Sequence, residues 1–184
     1  MEFMTVRKEK TRWAQIRAIY QEAFPKREQK PFFVLKREVK RGKVQLIAAV
    51  EGADLLGFVT AVPFRDLVMV DYLAANRQVR GKGTGSKLLE QVSAAFPDQT
   101  QVLLIERLDP QAPNRTQRED RKRFYERNGF SSSGLFVSGA GGEMEVLQKG
   151  GIVSGEAYLA IQRHALGRLL FRLSGIRLTD GDRP

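Results

Sequence analysis

The chain reads as a mixed α/β domain: a twisted, mostly antiparallel mixed sheet with helices on both faces and an extra helix at its C-terminal end. Three observations carry that reading. Three strand-like runs follow one another within residues 44–73, spaced as hairpins are. The third enters a glycine-dense turn that opens into a helical pattern and then a continuous apolar run, Val102-Leu103-Leu104-Ile105, as a crossover to a strand covered on both faces requires. Helical periodicity recurs before and after this middle section, which suits helices packed on a sheet.

In chain order, a short first strand is expected at residues 4–7. Trp13, Ile16, Ile19, Tyr20 and Phe24 then recur at helical spacing, so residues 11–23 are an amphipathic helix stopped by Pro25. Residues 32–39 form a second, shorter helix. Strands at 44–50 and 55–62 are joined by Glu51-Gly52-Ala53-Asp54, and the turn Pro63-Phe64-Arg65-Asp66 leads to the strand at 67–73. Beyond the glycine turn, Leu88, Leu89, Val92 and Phe96 make one apolar helix face that Pro97 ends. The next helix covers 114–128. Asn114 with Gln117 resembles a capping box, Glu119 can pair with Arg123, and Gly129 suits a left-handed C-terminal position from which Phe130 folds back towards Tyr125. Strands at 135–138 and 143–148 flank Gly139-Ala140-Gly141-Gly142. A last helix over 154–173 sets Tyr158, Ile161, Ala165, Leu169 and Leu173 on one face. The expected organisation is a domain over residues 1–149 with residues 150–184 as a helical extension of it, docked in cis; docking on a second subunit, as a homodimer, stays open.

Composition narrows the function classes. A chain of 184 residues can bury a sizeable core, and its 42% hydrophobic and 28% charged content is ordinary for a globular protein. No window reaches the roughly 18 apolar residues of a membrane span. The first residues, Met1-Glu2-Phe3-Met4-Thr5-Val6-Arg7-Lys8, lack the apolar centre of a signal peptide. Without cysteine there is no disulfide framework, thiolate nucleophile or zinc cluster, and no metal is expected; a cytoplasmic setting and no membrane partner follow as expectations. The formal charge of +10 invites a nucleic-acid reading. Its basic residues are scattered and interleaved with acids, and no nucleic-acid motif is present, so no specific nucleic-acid partner is expected.

The chemistry-bearing stretch follows the strand at 67–73. Gly81, Gly83 and Gly85 allow positive φ and close approach to the backbone, at the start of a helix whose first amides lack intrahelical partners. An anion, above all a phosphate, is the guest such a turn accepts, with Arg80 and Lys82 adding charge. A P-loop needs an earlier glycine that is missing, and the dinucleotide fingerprint fails because Ser86 and Leu88 stand where its last glycine belongs. By itself the turn could be only a well-capped link. Two stretches together say more: Arg80-x-x-Gly83-x-Gly85, and Phe124-Tyr125-x-x-x-Gly129-Phe130 some 40 residues later. They resemble the paired signatures of the GNAT superfamily of N-acetyltransferases, and the likeness spans about residues 4–149.

That resemblance implies the GNAT fold, acetyl-CoA as cofactor, and transfer of its acetyl group to a primary amine by direct attack in a ternary complex. It implies that backbone at Leu73, Ala74 and Ala75 pairs with the pantetheine arm. Amides of Gly81, Lys82, Gly83, Thr84, Gly85 and Ser86 would hold the pyrophosphate, assisted by Arg80. Tyr125 would protonate the leaving thiolate. Glu106, at a strand end, could draw the amine proton through water or could simply pair with Arg107; Glu28 and Asp71 are weaker candidates. His164, the lone histidine, is expected at the surface. The two early helices would stand beside the acceptor groove, where Phe24, Phe32 and Phe33 are either core or substrate wall. Two positions depart from the pattern: Ala75 stands for the usual valine, and Arg118 for an asparagine seven residues before the tyrosine, which puts a side-chain contact to coenzyme A there in doubt. The acceptor is a small-molecule or peptide amine. Two competing classes remain, a non-catalytic acyl-CoA-binding sensor and a basic nucleic-acid-associated protein.

Overall fold

The computed structural model describes residues 1–7, 10–26, 28–79, 81–139 and 142–179. Its elements, in order, are β1 (Glu2–Thr5), α1 (Lys10–Ala23), α2 (Phe32–Lys40), β2 (Gln45–Glu51), β3 (Asp54–Phe64), β4 (Leu67–Ala75), a 3-10 turn (Arg77–Val79), α3 (Thr84–Ala95), β5 (Thr100–Glu106), α4 (Arg115–Arg127), β6 (Ser131–Gly139), β7 (Gly142–Lys149), α5 (Gly155–Leu166), α6 (Arg168–Ser174) and β8 (Arg177–Thr179). The strands form one mostly antiparallel sheet in the order β1-β2-β3-β4-β5-β7-β6-β8. The mixed α/β class read from the sequence is the class observed.

The chain divides into two compact units, residues 1–63 with 70–97 and residues 64–69 with 98–184. In the first, β1 pairs antiparallel with β2 and β2 with β3, with a bulge between Ala49 and Val50. The periodicity of α1 does what it predicts, since Trp13, Ile16, Ile19 and Tyr20 are all buried. Leu35, Leu46, Phe58, Leu88 and Leu89 complete this core. The backbones of β3 and β4 approach closely at Gly57. A Cβ built there would lie 2.7 Å from the Ala74 carbonyl oxygen, 3.1 Å from Ala75 Cα and 3.3 Å from Leu88 Cδ1.

In the second unit, Leu67, Val68 and Met69 pair parallel with Thr100, Gln101 and Val102. β7 then inserts between β5 and β6 and is antiparallel to both. Leu103, Ile105, Leu147, Tyr158 and Ile161 form the core, the last two from α5. The tail differs from the single helix expected. Gly167, at φ 78° and ψ 157°, ends α5 and begins α6, and β8 returns to pair with β6 across Phe136↔Thr179, Val137↔Leu178 and Ser138↔Arg177. The break turns Leu169 and Leu173 away from the buried face shared by Tyr158, Ile161 and Ala165.

Because the contact at Gly57 is with backbone, which cannot swing aside, Gly57→Ala should destabilise the protein by about 1–3 kcal/mol. Denaturant unfolding checks this; a variant as stable as wild type would show that β3 and β4 separate freely.

Candidate functional site

The glycine loop is built from the end of β4. Asn76 donates its backbone N–H to Leu56 O at 2.8 Å and accepts the Gln78 amide on Oδ1 at 3.1 Å, which starts the 3-10 turn. Val79 N–H closes back onto Asn76 O at 3.0 Å, and Lys82 N–H onto Val79 O at 3.3 Å. Gly81 (φ 81°) and Gly83 (φ 80°) hold left-handed backbone, and nothing lies within 4 Å of a Cβ built on either. The requirement for glycine is therefore conformational rather than steric, and space remains beside the backbone.

Gly83 is the N-cap of α3, its carbonyl accepts the Lys87 amide at 3.1 Å, and no side chain caps the helix. The amides of Thr84, Gly85 and Ser86 therefore start the helix with no intrahelical acceptor. The Thr84 hydroxyl is buried beside them without a hydrogen-bond partner. These features fit an anionic, phosphate-bearing group. Lys82 is exposed on the loop, whereas Arg80 lies outside the described residues. Leu73, Ala74 and Ala75 occupy the last turns of the β4 pleat, with Ala74 buried against Gly57.

The segment between α1 and α2 is fastened to β4 in the same unit. Lys30 N–H donates to the Tyr72 hydroxyl at 3.2 Å, Tyr72 donates to Glu28 O at 2.9 Å, and Tyr20 donates to Lys30 O at 3.1 Å. Lys30 Nζ meets Asp71 Oδ2 at 2.7 Å. Burial pulls the Lys30 ammonium down, but the Asp71 carboxylate more than reverses this, so the ammonium holds its proton more tightly than usual. Burial also pushes the Tyr72 phenol up, helped by the Asp71 charge. Tyr20 and Phe24 each stand 4.9 Å from the Tyr72 ring, and Phe32 stands 5.8 Å from Tyr20. Phe24 and Phe32 thus join an aromatic cluster, while Phe33 is 71% exposed.

In the second unit α4 ends as expected. Gly129 (φ 85°) donates to Glu126 O at 3.0 Å and Phe130 to Tyr125 O at 3.1 Å, a Schellman pair that sets the Phe130 ring 5.8 Å from Tyr125. Phe124 and Tyr125 are both half-buried. Burial pushes the Tyr125 phenol up to about 12, against a smaller opposing pull from the Arg121 charge, so it carries its proton at neutral pH. The start of α4 corrects the sequence reading. Asn114 makes no side-chain cap; its Nδ2 donates to Glu106 Oε1 and Oε2 at 3.2 and 3.3 Å, and its Oδ1 accepts from Arg118 Nε at 2.8 Å. A carboxylate acceptor outweighs the neutral cap contact.

Glu106 also pairs with Arg121 at 3.0 Å and Arg118 at 3.6 Å, not with Arg107. Adjacent strand positions point to opposite faces, and Arg107 instead lies 4.8 Å over the Phe136 ring. His164, expected at the surface, is half-buried and stacks on Phe64 at 4.6 Å. A second buried pair, Lys122 Nζ to Glu145 at 2.9 Å, was not foreseen.

A family model described as the acetyltransferase (GNAT) domain matches residues 31–132, more than half of the chain. The chain belongs to the GNAT family. Solved structures agree at the level of fold. A protein assigned to the GNAT family from Bacteroides thetaiotaomicron superposes with a TM-score of 0.71 at 21% identity, covering 93% of this chain and 98% of its own. An aminoglycoside 6'-N-acetyltransferase complexed with coenzyme A gives 0.67 at 18%, covering 81% and 96%. A ribosomal-protein-alanine N-acetyltransferase from Brucella melitensis gives 0.61 at 15%, covering 81% and 99%. No curated protein matches the chain by sequence. Acetyl-CoA is the cosubstrate of the GNAT family, and its diphosphate is the kind of group the α3 start fits.

The sequence-named residues fall into both units. Leu73, Ala74, Ala75 and Gly81 to Ser86 lie in the first, and Glu106 and Tyr125 in the second. The burial of Tyr125 carries a spectroscopic consequence. Alkaline titration of tyrosinate absorbance, wild type minus Tyr125→Phe, should give a component near 12. The native state then keeps a proton that the unfolded chain loses near 10, so this contribution to stability is intact below about pH 10 and falls as pH rises towards 12. Tyr125→Phe should lack that part of the alkaline loss in unfolding experiments; a component at the ordinary tyrosine value would contradict the burial.

Proposed function

We propose that this protein is an acetyl-CoA-dependent N-acetyltransferase acting on a primary amine. The observation that carries the proposal is the uncapped start of α3, where amides and the unpartnered Thr84 hydroxyl follow two glycines held at positive φ. Family membership supports the diphosphate of coenzyme A as the anion this turn would hold. Backbone at Leu73, Ala74 and Ala75 would align the pantetheine arm, and Gly81 to Ser86, with Lys82 and Arg80, would hold the diphosphate.

Acetyl-CoA supplies an activated acyl carbon. In the proposed transfer an amine nitrogen would form the new C–N bond and the C–S bond would break without a covalent enzyme intermediate, so positioning would be the main contribution of the chain. Tyr125, which holds its proton at neutral pH, would donate a hydrogen bond to the departing sulfur, and the amine proton would leave to solvent. The acceptor is a small molecule or a peptide amine; the aminoglycoside and ribosomal-protein-alanine enzymes, which share the fold, act on one of each.

One observation favours a second reading, a non-catalytic acyl-CoA-binding sensor. Glu106 and Asp71, both considered as bases, are engaged in ion pairs. The Glu106 oxygens are occupied by donors from α4, which suits a brace that fixes the helix bearing Tyr125 better than a proton acceptor.

Calorimetric titration with acetyl-CoA should show binding by wild type and none by Gly83→Glu, which puts a negative side chain at a left-handed position in the proposed diphosphate loop. Tyr125→Phe should bind normally yet lose about 10²-fold in turnover with an amine acceptor. Absence of wild-type binding overturns both readings; normal binding with no dependence on Tyr125 supports the sensor. Glu106→Gln separates brace from base. A brace predicts a loss of about 1.5–3 kcal/mol in stability with the shape of the pH–rate profile unchanged, whereas a base predicts that the acid limb of that profile is lost as well.

A further inference from the structure

The helix α6 presents an apolar ridge to solvent. Leu169, Leu170 and Leu173 are 70%, 50% and 74% exposed. At about 100° per residue they share one arc of α6 about a quarter-turn wide. The exposure is not a frayed end. Phe171, on the other side of the helix, lies with its ring 5.3 Å from the Arg163 guanidinium, and Ser174 Oγ donates to Phe171 O at 2.8 Å. β8 then ties the following residues to β6.

The charge around the ridge has one sign. Arg168 and Arg172 are exposed beside the leucines, and Arg177 and Leu178 are exposed just beyond. Residues 157–179 contain no Asp or Glu, in a chain that otherwise interleaves its charges; Asp180 and Asp182 come next in sequence and lie outside the described residues.

We propose that α6 is a docking surface for an anionic lipid bilayer, with the three leucines entering the interfacial region and Arg168, Arg172 and Arg177 meeting the headgroups. Two short turns carrying adjacent leucines and flanking cations have the composition of an interfacial helix, and arginines near an anionic surface add to its apolar burial. A second copy of the chain fits less well, because a two-fold contact would set these arginines against their own copies. A shaped protein partner is not required either, since a convex ridge matches a fluid interface that deforms around it. No described helix is long and apolar enough to cross a membrane, so the association is with its surface.

Co-sedimentation of the full chain with vesicles tests this. Wild type should pellet with phosphatidylcholine vesicles containing phosphatidylglycerol and stay in solution with phosphatidylcholine alone. Leu169→Ser/Leu173→Ser should weaken the partition about tenfold or more with an unchanged circular dichroism melt, because both side chains are already exposed. Arg168→Gln/Arg172→Gln should weaken it too. Equal binding to neutral vesicles, or no binding to anionic ones, overturns the proposal. So does retention of either double variant at wild-type levels, which would assign the attraction to the formal charge of +10. Binding to polyglutamate without binding to vesicles would overturn it in favour of an acidic protein.

Discussion

The first turn of α3 is the constraint on which the site depends. A helix usually satisfies some of its initial amides with a side-chain cap, which costs those amides as ligand donors. Here the N-cap is Gly83, with no side chain to offer and a left-handed backbone that other residues take at a cost of roughly 1–2 kcal/mol. This helix start therefore forgoes the stability a side-chain cap would add and leaves its first amides without a capping acceptor. The surroundings offset the deficit, since Leu88, Leu89 and Val92 bury the apolar face of α3 and Asn76 locks the strand end that feeds the loop. Gly57 belongs to the same arrangement. By letting β3 close on Ala74 and Ala75, it fixes the strand from which the loop departs.

The second unit solves a different problem, holding α4 although none of its residues is fully buried. Apolar burial alone would hold such a helix weakly. Polar anchors take over: Asn114, Arg118 and Arg121 converge on Glu106 near its start, Lys122 reaches the buried Glu145 in its middle, and the Schellman pair closes its end. An anchored polar helix can leave Phe124 and Tyr125 half-buried, which a helix relying on its apolar face could not.

What was legible in the sequence follows from the range of the interactions. The glycine loop and the Gly129–Phe130 ending are set by consecutive residues and were readable from spacing. The ties of Lys30 to Asp71, Asn114 to Glu106 and Lys122 to Glu145 join separate elements, and no local pattern signals them. Where a local rule competed with such a tie, the rule lost: Asn114 looked like a capping residue because of its position and became a ligand of a carboxylate. The tail failed for the opposite reason. Its apolar periodicity runs in phase from Tyr158 to Leu173, and nothing in that spacing marks a break at Gly167. The backbone instead used it to end one helix and start another.

The raised Tyr125 phenol bears on what kind of acid it can be. A thiol of ordinary acidity, with a pKa of about 8.5, is a stronger acid than a phenol near 12, so in the proposed reaction full proton transfer from Tyr125 to the sulfur would be uphill at equilibrium. The shift adds little to occupancy, since an ordinary phenol is also protonated at physiological pH; either way the hydroxyl would be available as a donor there. A hydrogen bond that strengthens as charge grows on sulfur stabilises the transition state more than the ground state, which is the only kind of interaction that accelerates the chemical step. The proton released by the attacking amine can then neutralise the thiolate through solvent, without a dedicated carboxylate. In the proposed transferase the ion-paired Glu106 would then serve as an anchor for α4 rather than as a base, so its pairing alone does not exclude the catalytic reading.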